Sequence, residues 1–125
     1  MTTSEQVVND FIATFGKLDL EALMSFFTED AVYHNIPWPA ATGRSAIRKV
    51  LEGFFKDMNM TAAKFEVRYQ VAYGNIVMNE RVDTLTINGK KVSLPVMGVF
   101  EIENGKIKAW RDYFDAATFN EAMAA

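Results

Sequence analysis

The chain has no cysteine among its 125 residues and only one histidine, His34. The first absence excludes disulfides, thiolate metal sites and thiol nucleophiles together. The second excludes a metal site built from several histidines. No apolar run approaches the roughly 20 residues of a membrane span. The opening Met1-Thr2-Thr3-Ser4-Glu5 has neither a basic start nor an apolar core, so no secretory signal is expected, and a soluble cytoplasmic protein is the default. Positive charge is scarce as well. Thirteen Lys and Arg against sixteen Asp and Glu leave a net charge of -3, which gives no basic footprint for nucleic acid. No linker, repeat, low-complexity stretch or phosphate-binding glycine loop is present. What the chain has in quantity is apolar surface: half its residues are hydrophobic and 13% aromatic, enough for a sizeable core. The length fits one compact domain spanning 1–125.

Thr2, Thr3 and Ser4 precede Glu5 and Gln6, a capping-box pattern. Val7, Val8, Phe11, Ile12 and Phe15 then recur at helical spacing, and Gly16 ends this first helix. Asp19 caps a second, shorter helix with Leu20, Leu23, Met24 and Phe27 on one face. Ala31–Asn35 reads as a short strand, with Tyr33 and Asn35 on one face and Val32, His34 and Ile36 on the other. Pro37-Trp38-Pro39 stops it. A helix from about Ser45 to Met58 carries Ile47, Val50, Leu51, Phe54, Phe55 and Met58 as its stripe. The rest reads as an antiparallel meander. Lys64–Ala72 alternates, with Phe65, Val67, Tyr69 and Val71 one way and Lys64, Glu66, Arg68 and Gln70 the other. Asn88-Gly89 and Asn104-Gly105 are hairpin turns around the strands Lys91–Glu103 and Lys106–Phe114. Asp115 caps a last helix with Phe119 and Met123 facing inward. The order is helix, helix, strand, helix, four strands, helix. It predicts an α+β fold with helices on one face of a curved antiparallel or mixed sheet.

Two strands carry charge where apolar residues are expected. In Asn79-Glu80-Arg81-Val82-Asp83-Thr84-Leu85, side chains two apart share a face, so Arg81 and Asp83 point the same way as Leu85. In Trp110-Arg111-Asp112-Tyr113-Phe114, Asp112 shares a face with Trp110 and Phe114. Charge on an apolar face is costly unless paired and hydrogen-bonded. The two strands are therefore expected to bring Arg81, Asp83 and Asp112 together at the floor of an apolar pocket. Simple register opposes this. Two-residue turns at both Asn-Gly pairs place Asp83 opposite Leu94 and Asp112 opposite Met97, on opposite sides of the sheet. One parity break reunites them, either a bulge near Pro95 or a three-residue loop at one turn.

Each candidate has a plain use and a chemical one. A buried structural ion network is, on prior grounds, the commoner use of an Arg and two Asp. Chemically, two close aspartates resist joint ionisation, so one pKa rises above about 3.9. That yields one acid and one base for general acid–base catalysis. Tyr33 and Asn35 are either a solvated strand end or a pair that holds a water molecule beside an aspartate. His34 faces away from Tyr33 and Asn35. Ser25, Ser45 and Ser93 lack nucleophile-elbow surroundings. The methionines and phenylalanines are mostly core, with some free to line a pocket.

The element order resembles the cone-shaped fold of nuclear transport factor 2 and its SnoaL-like relatives. Within it, Val32-Tyr33-His34-Asn35-Ile36-Pro37, Asn79-Glu80-Arg81-Val82-Asp83, Val96-Met97-Gly98-Val99-Phe100-Glu101 and Trp110-Arg111-Asp112-Tyr113-Phe114-Asp115 resemble the limonene epoxide hydrolase family. They run in the family's order across nearly the whole chain, although the N-terminus is short for the family. The resemblance implies that Tyr33, Asn35 and Asp112 hold a hydrolytic water with Asp112 as base. It further implies that Asp83 is the acid and that Arg81 bridges the aspartates. It also implies no metal, no organic cofactor, no covalent intermediate and a homodimer. Trp110 is expected as a wall of the site, with Leu85, Met97, Phe114 and Phe119 as further substrate contacts. The expected activity is hydrolysis of an apolar epoxide to a diol. The rivals are an isomerase or cyclase of the same fold, and a non-catalytic small-molecule binder.

Overall fold

The structure, a computed structural model, describes residues 3–125. Thr2, one residue of the expected capping segment, lies outside them. Thr3 itself caps α1 (Ser4–Phe15): its side chain accepts from the Gln6 amide, and the Gln6 side chain accepts from the Thr3 amide. Asp19 caps α2 (Leu20–Met24) by accepting from Ala22 N. Phe27 is not part of that helix. It begins β1 (Phe27–Asn35), which starts four residues earlier than its sequence suggests and keeps Phe27 fully buried. A two-residue strand, β2 (Ala41–Thr42), leads into α3 (Arg44–Glu52). The predicted helix to Met58 changes at Gly53 into a wider π-helical turn, Gly53–Asp57. Gly at that point weakens the regular helix and admits the change.

The meander follows as β3 (Met60–Tyr73), β4 (Ile76–Ile87), β5 (Lys90–Glu103) and β6 (Lys106–Tyr113), and α4 (Ala116–Ala124) closes the chain. The six strands form one sheet in the order β2-β1-β6-β5-β4-β3. Only β1 and β6 run parallel, so the sheet is mixed. The helices pack on its inner face, with α1 against β3, β4 and β5, and α4 against β5. Phe11 sits at the centre of the core, edge-on to Phe15, Phe26, Phe27, Phe100 and Trp110. Among the described residues, no helix is long and apolar enough to cross a membrane.

Both Asn-Gly turns are two-residue turns: Ile87 pairs with Lys90, and Glu103 with Lys106. Asn88 and Asn104 have φ of 52 and 50°, and Gly89 and Gly105 have φ of 76°. Positive φ at both central residues is the conformation that matches strand twist in a tight hairpin. The parity break therefore lies in neither turn. Nor does it lie at Pro95, which pairs in register with Val82. It is in β6: Glu101 pairs with Ala109 but Ile102 with Ile107, leaving Lys108 as the extra residue. Pro95 is tolerated because β6 ends at Tyr113, opposite Met97, so Pro95 has a strand partner on the β4 side only.

A second bulge changes β3. Val67 pairs with Arg81 and Tyr69 with Glu80, so Arg68 is the extra residue. Beyond it the faces exchange. Gln70 turns inward opposite Asn79, while Tyr69, Val71 and Tyr73 turn outward and are exposed. The uninterrupted alternation expected over Lys64–Ala72 holds only as far as Val67.

Candidate active site

With the bulge at Lys108, Asp112 lies opposite Gly98, which lies opposite Asn79. Asp83 is on the same face of β4 as Asn79 and Arg81, and Asn35 of β1 is the lateral partner of Asp112. Three strands, β1, β4 and β6, thus deliver polar side chains to one spot on the inner face, over Gly98 of β5. Arg81, Asp83, Asp112 and Asn79 are all buried, at 1, 4, 4 and 1% exposure.

Arg81 has five N–H groups and no acceptor. All five are taken. Nε donates to Asp83 Oδ1 at 3.0 Å. Nη2 donates to Asp83 Oδ2 at 2.9 Å and to Asp112 Oδ2 at 2.8 Å. Nη1 donates to Asp112 Oδ1 at 3.2 Å and to Asn79 Oδ1 at 3.0 Å. The guanidinium carbon also lies 4.8 Å from the Phe65 ring centroid. Burial opposes the charge on Arg81, but the charge of Asp112 and the hydrogen bonds and charge of Asp83 outweigh it, so Arg81 is held cationic.

The two carboxylates differ. Asp112 Oδ1 accepts from Trp110 Nε1 at 2.7 Å as well as from Arg81, so three donors hold Asp112. Asp83 has two, both from Arg81. An ionised carboxylate offers about four lone-pair positions, which leaves roughly one free on Asp112 and two on Asp83. Burial is the largest influence on Asp83, and it pushes the carboxyl up to about 6, with the Asp112 charge adding to it and Arg81 opposing both. One cation and two anions make a buried trio of net charge -1. A proton on Asp83 makes it neutral.

Tyr33 stacks on the indole of Trp110, with centroids 4.2 Å apart and planes at 11°. Burial, then the charge of Asp112, drives its hydroxyl pKa far up, so the proton stays on. Asn35 Nδ2 donates to the Tyr33 oxygen at 3.0 Å. The Tyr33 hydrogen and Asn35 Oδ1 are then left to serve a third group. His34 points to the other face, where its Nε2 meets the Trp38 carbonyl at 2.9 Å.

Above this floor lies a cavity of about 490 Å³, counted to its open mouth. Tyr33, Asn35, Asp83 and Asp112 are its polar lining, and the rest is apolar or aromatic. Leu85, Phe114 and Phe119 line it as expected, joined by Trp38, Phe54 and Phe65 among others. Two expected contacts do not. Trp110 is fully buried behind the floor, where it stacks on Tyr33 and holds Asp112. Met97 lies on the outer face of the sheet, 41% exposed, because Val96 and Gly98 on either side of it face inward, and the bulge puts Tyr113 opposite it instead of Asp112.

Two residues at the floor escaped sequence reasoning. Asn79 shares strand parity with Arg81 and Asp83, and that parity was its signal. Gly98 is no turn glycine: it sits mid-strand, where a Cβ would collide with Arg81 Nη1 and stand 2.9 Å from Asn79 Oδ1 and 3.0 Å from Asp112 Oδ1. A glycine inside a strand marks such a close approach.

The curved mixed sheet, its inner-face helices and a deep cavity with a charged floor define the class: a nuclear transport factor 2-like, or SnoaL-like, α+β protein. A putative SnoaL-like polyketide cyclase from Shewanella putrefaciens has the same fold, with a TM-score of 0.85 over 99% of this chain and 98% of its own, at 16% identity. The limonene-1,2-epoxide hydrolase catalytic domain family matches residues 2–124, and the chain belongs to that family of epoxide hydrolases. It is 29% identical over 108 residues to epoxide hydrolase EphG of Mycobacterium tuberculosis, covering 86% of this chain and 70% of the relative. The structure of an M. tuberculosis epoxide hydrolase of this type superimposes with a TM-score of 0.79 at 28% identity, over 97% of this chain and 89% of that one.

Proposed function

We propose that the chain adds water to an apolar epoxide in one step, giving a vicinal diol, with Asp112 as base and Asp83 as acid. The observation that carries this reading is the unequal saturation of two carboxylates held by one fully engaged guanidinium. A structural ion network accounts for the burial but not for the free lone pairs facing an apolar cavity. A buried ion network is also a poor source of stability compared with apolar packing.

The chemistry follows from the free valences. A water at the floor donates one hydrogen to Asp112 and one to Asn35 Oδ1, and accepts from the Tyr33 hydroxyl. One lone pair is left, and it attacks an epoxide carbon. The new C–O bond forms as the old one breaks. The water's proton passes to Asp112, and the Asp83 proton passes to the departing oxygen. The resting state returns when Asp112 loses a proton and Asp83 regains one. No metal, organic cofactor or ester intermediate enters. The apolar lining selects a hydrocarbon-rich epoxide, and the same reading makes the working protein a cytoplasmic homodimer.

The oxygen's route tests the mechanism. In a single turnover in ¹⁸O-water with enzyme in excess, the new diol oxygen carries the label. An unlabelled diol, with label entering an aspartate in later turnovers, would show carboxylate attack and end the proposal.

A further inference from the structure

The acceptor of the fifth Arg81 N–H begins a chain of amides that leaves the cavity. Asn79 Oδ1 accepts from Arg81 Nη1 at 3.0 Å, and Asn79 Nδ2 donates to Gln70 Oε1 at 3.1 Å. Gln70 Nε2 then donates to Glu5 Oε2 at 3.0 Å and to Asn9 Oδ1 at 2.9 Å on the exposed side of α1. The sheet brings these together through the bulge at Arg68, which turns Gln70 inward opposite Asn79.

An amide side chain has two ends of similar shape and opposite hydrogen-bonding sense. Its orientation is fixed only by its partners. Here the two ends of the chain have fixed sense. Arg81 can only donate, and the ionised Glu5 can only accept. Between them, Gln70 must turn its NH₂ to Glu5 and its oxygen to Asn79. Asn79 must then turn its NH₂ to Gln70 and its oxygen to Arg81. Reversing Asn79 sets its NH₂ against a guanidinium N–H beside Asp112, and reversing Gln70 sets its NH₂ against that of Asn79 and its oxygen against Glu5. Asn79 has no room to retreat, because it is buried and the β5 backbone at Gly98 presses against both it and Arg81.

We infer that Asn79 and Gln70 are positioning residues, an amide chain anchored on Glu5 and Asn9 of α1 that holds the Arg81 guanidinium in the plane where it serves both aspartates. This rests on the acid–base reading of the floor, since it assigns no contact with substrate. It makes the surface of α1 part of the catalytic apparatus at a distance. Its effect is on kcat, because the guanidinium orients the reacting carboxyls and not the apolar body of the substrate.

The test exploits polarity. Gln70→Leu removes the orienting amide, and kcat is expected to fall about tenfold with KM nearly unchanged. Gln70→Glu combined with Glu5→Gln reverses which partner carries the charge. Gln at position 5 donates to the new carboxylate, which still accepts from Asn79, so kcat returns toward wild type. Glu5→Ala with Asn9→Ala frees Gln70 from the surface without disturbing the interior, and lowers kcat about threefold. The Arg81 Nη protons, observed by ¹⁵N-resolved NMR, provide a readout without substrate. They are resolved and slowly exchanging in the wild type, broadened in Gln70→Leu, and restored in the exchanged pair. Unchanged Nη signals in Gln70→Leu, or equal impairment of Gln70→Leu and the exchanged pair, overturns the inference. If Gln70→Leu does not fold, unchanged kcat and Nη signals in the α1 double variant overturn it equally. A wild type without epoxide turnover defeats the acid–base reading instead, and leaves the NMR arm to judge the clamp.

Discussion

At the scale of single residues, the division of labour comes from how many donors each carboxylate receives. Asp112 has three and a position left for one proton from water. Asp112→Asn keeps the size of the side chain but cannot take that proton. Its kcat is expected to drop by about 10²–10⁴, the usual worth of a general base, while the melting curve shows a folded protein. Near-normal kcat in that variant would remove Asp112 from the mechanism. Asp83 must act in its protonated form. Its folded-state pKa is raised from 3.8 to about 6, chiefly by burial. A raised carboxyl pKa means the competent form dominates below about pH 6 and is lost as pH rises through it. The kcat/KM of the free enzyme is therefore expected to decline above about pH 6. A profile flat from pH 5 to 8 would contradict Asp83 as the acid.

At the scale of elements, the site depends on where β6 absorbs one extra residue. Lys108 is exposed, and its ion pair with Glu103 at 3.2 Å is solvent-screened. Its side chain is worth little, so Lys108→Ala is expected to melt like wild type. Deleting Lys108 tests the backbone instead. It erases the bulge but keeps every pair: Ala109 stays opposite Glu101, Trp110 opposite Phe100 and Asp112 opposite Gly98, with Trp110 and Asp112 still on the inner face. Circular dichroism should then still show a cooperative melt, and turnover should persist, because the largest buried side chain and both arms of the ion network keep their places. A deletion variant that neither melts cooperatively nor turns over would show that the bulge does more than set the parity of β6. The same element marks the limit of what sequence reading delivers. The four meander strands, both Asn-Gly turns, and the Arg81, Asp83 and Asp112 cluster were legible, because alternation and misplaced charge are local signals, whereas the two-residue β2 and the start of β1 were not. That some parity break was required was also legible. Its position was not, since a bulge at Lys108 leaves an ordinary polar residue and Pro95 draws attention to itself. The bulge at Arg68 was hidden for the opposite reason. Residues 64–72 alternate so cleanly that nothing signals the exchange of faces that sends Gln70 inward. Met97 was misplaced, and Trp110 assigned to the wall instead of behind it, because both depend on register and depth that no pattern in one strand encodes.

At the scale of the molecule, the two faces of the sheet are unequal in a way that points to a second copy. All four helices and the cavity occupy the inner face. The outer face carries Tyr69, Val71 and Tyr73 from β3, with Met78, Met97 and Tyr113 across β4, β5 and β6, all exposed. Tyr69, Glu80, Met97 and Tyr113 form one continuous row across four strands. Tyr73 is 90% and Tyr69 75% exposed, which is unusual for aromatic side chains on the broad face of a sheet. A homodimer through this face would cover them and would leave the cavities on the far sides. The row contains Glu80 and lies beside the Arg111–Glu101 pair at 2.6 Å, which gives the patch a polar margin. The wild type is expected to elute, by light scattering, at about twice the chain mass of 14.1 kDa. Val71→Glu with Met97→Glu sets two new carboxylates on neighbouring parts of the face. Both positions are already exposed in the protomer, so its folding should be unaffected while association is lost. Because the catalytic floor lies on the opposite side, turnover per chain in that variant is expected to stay close to wild type. A wild type that runs as a monomer at tens of micromolar, or a double variant that still runs as a dimer, would mean that this face has another use.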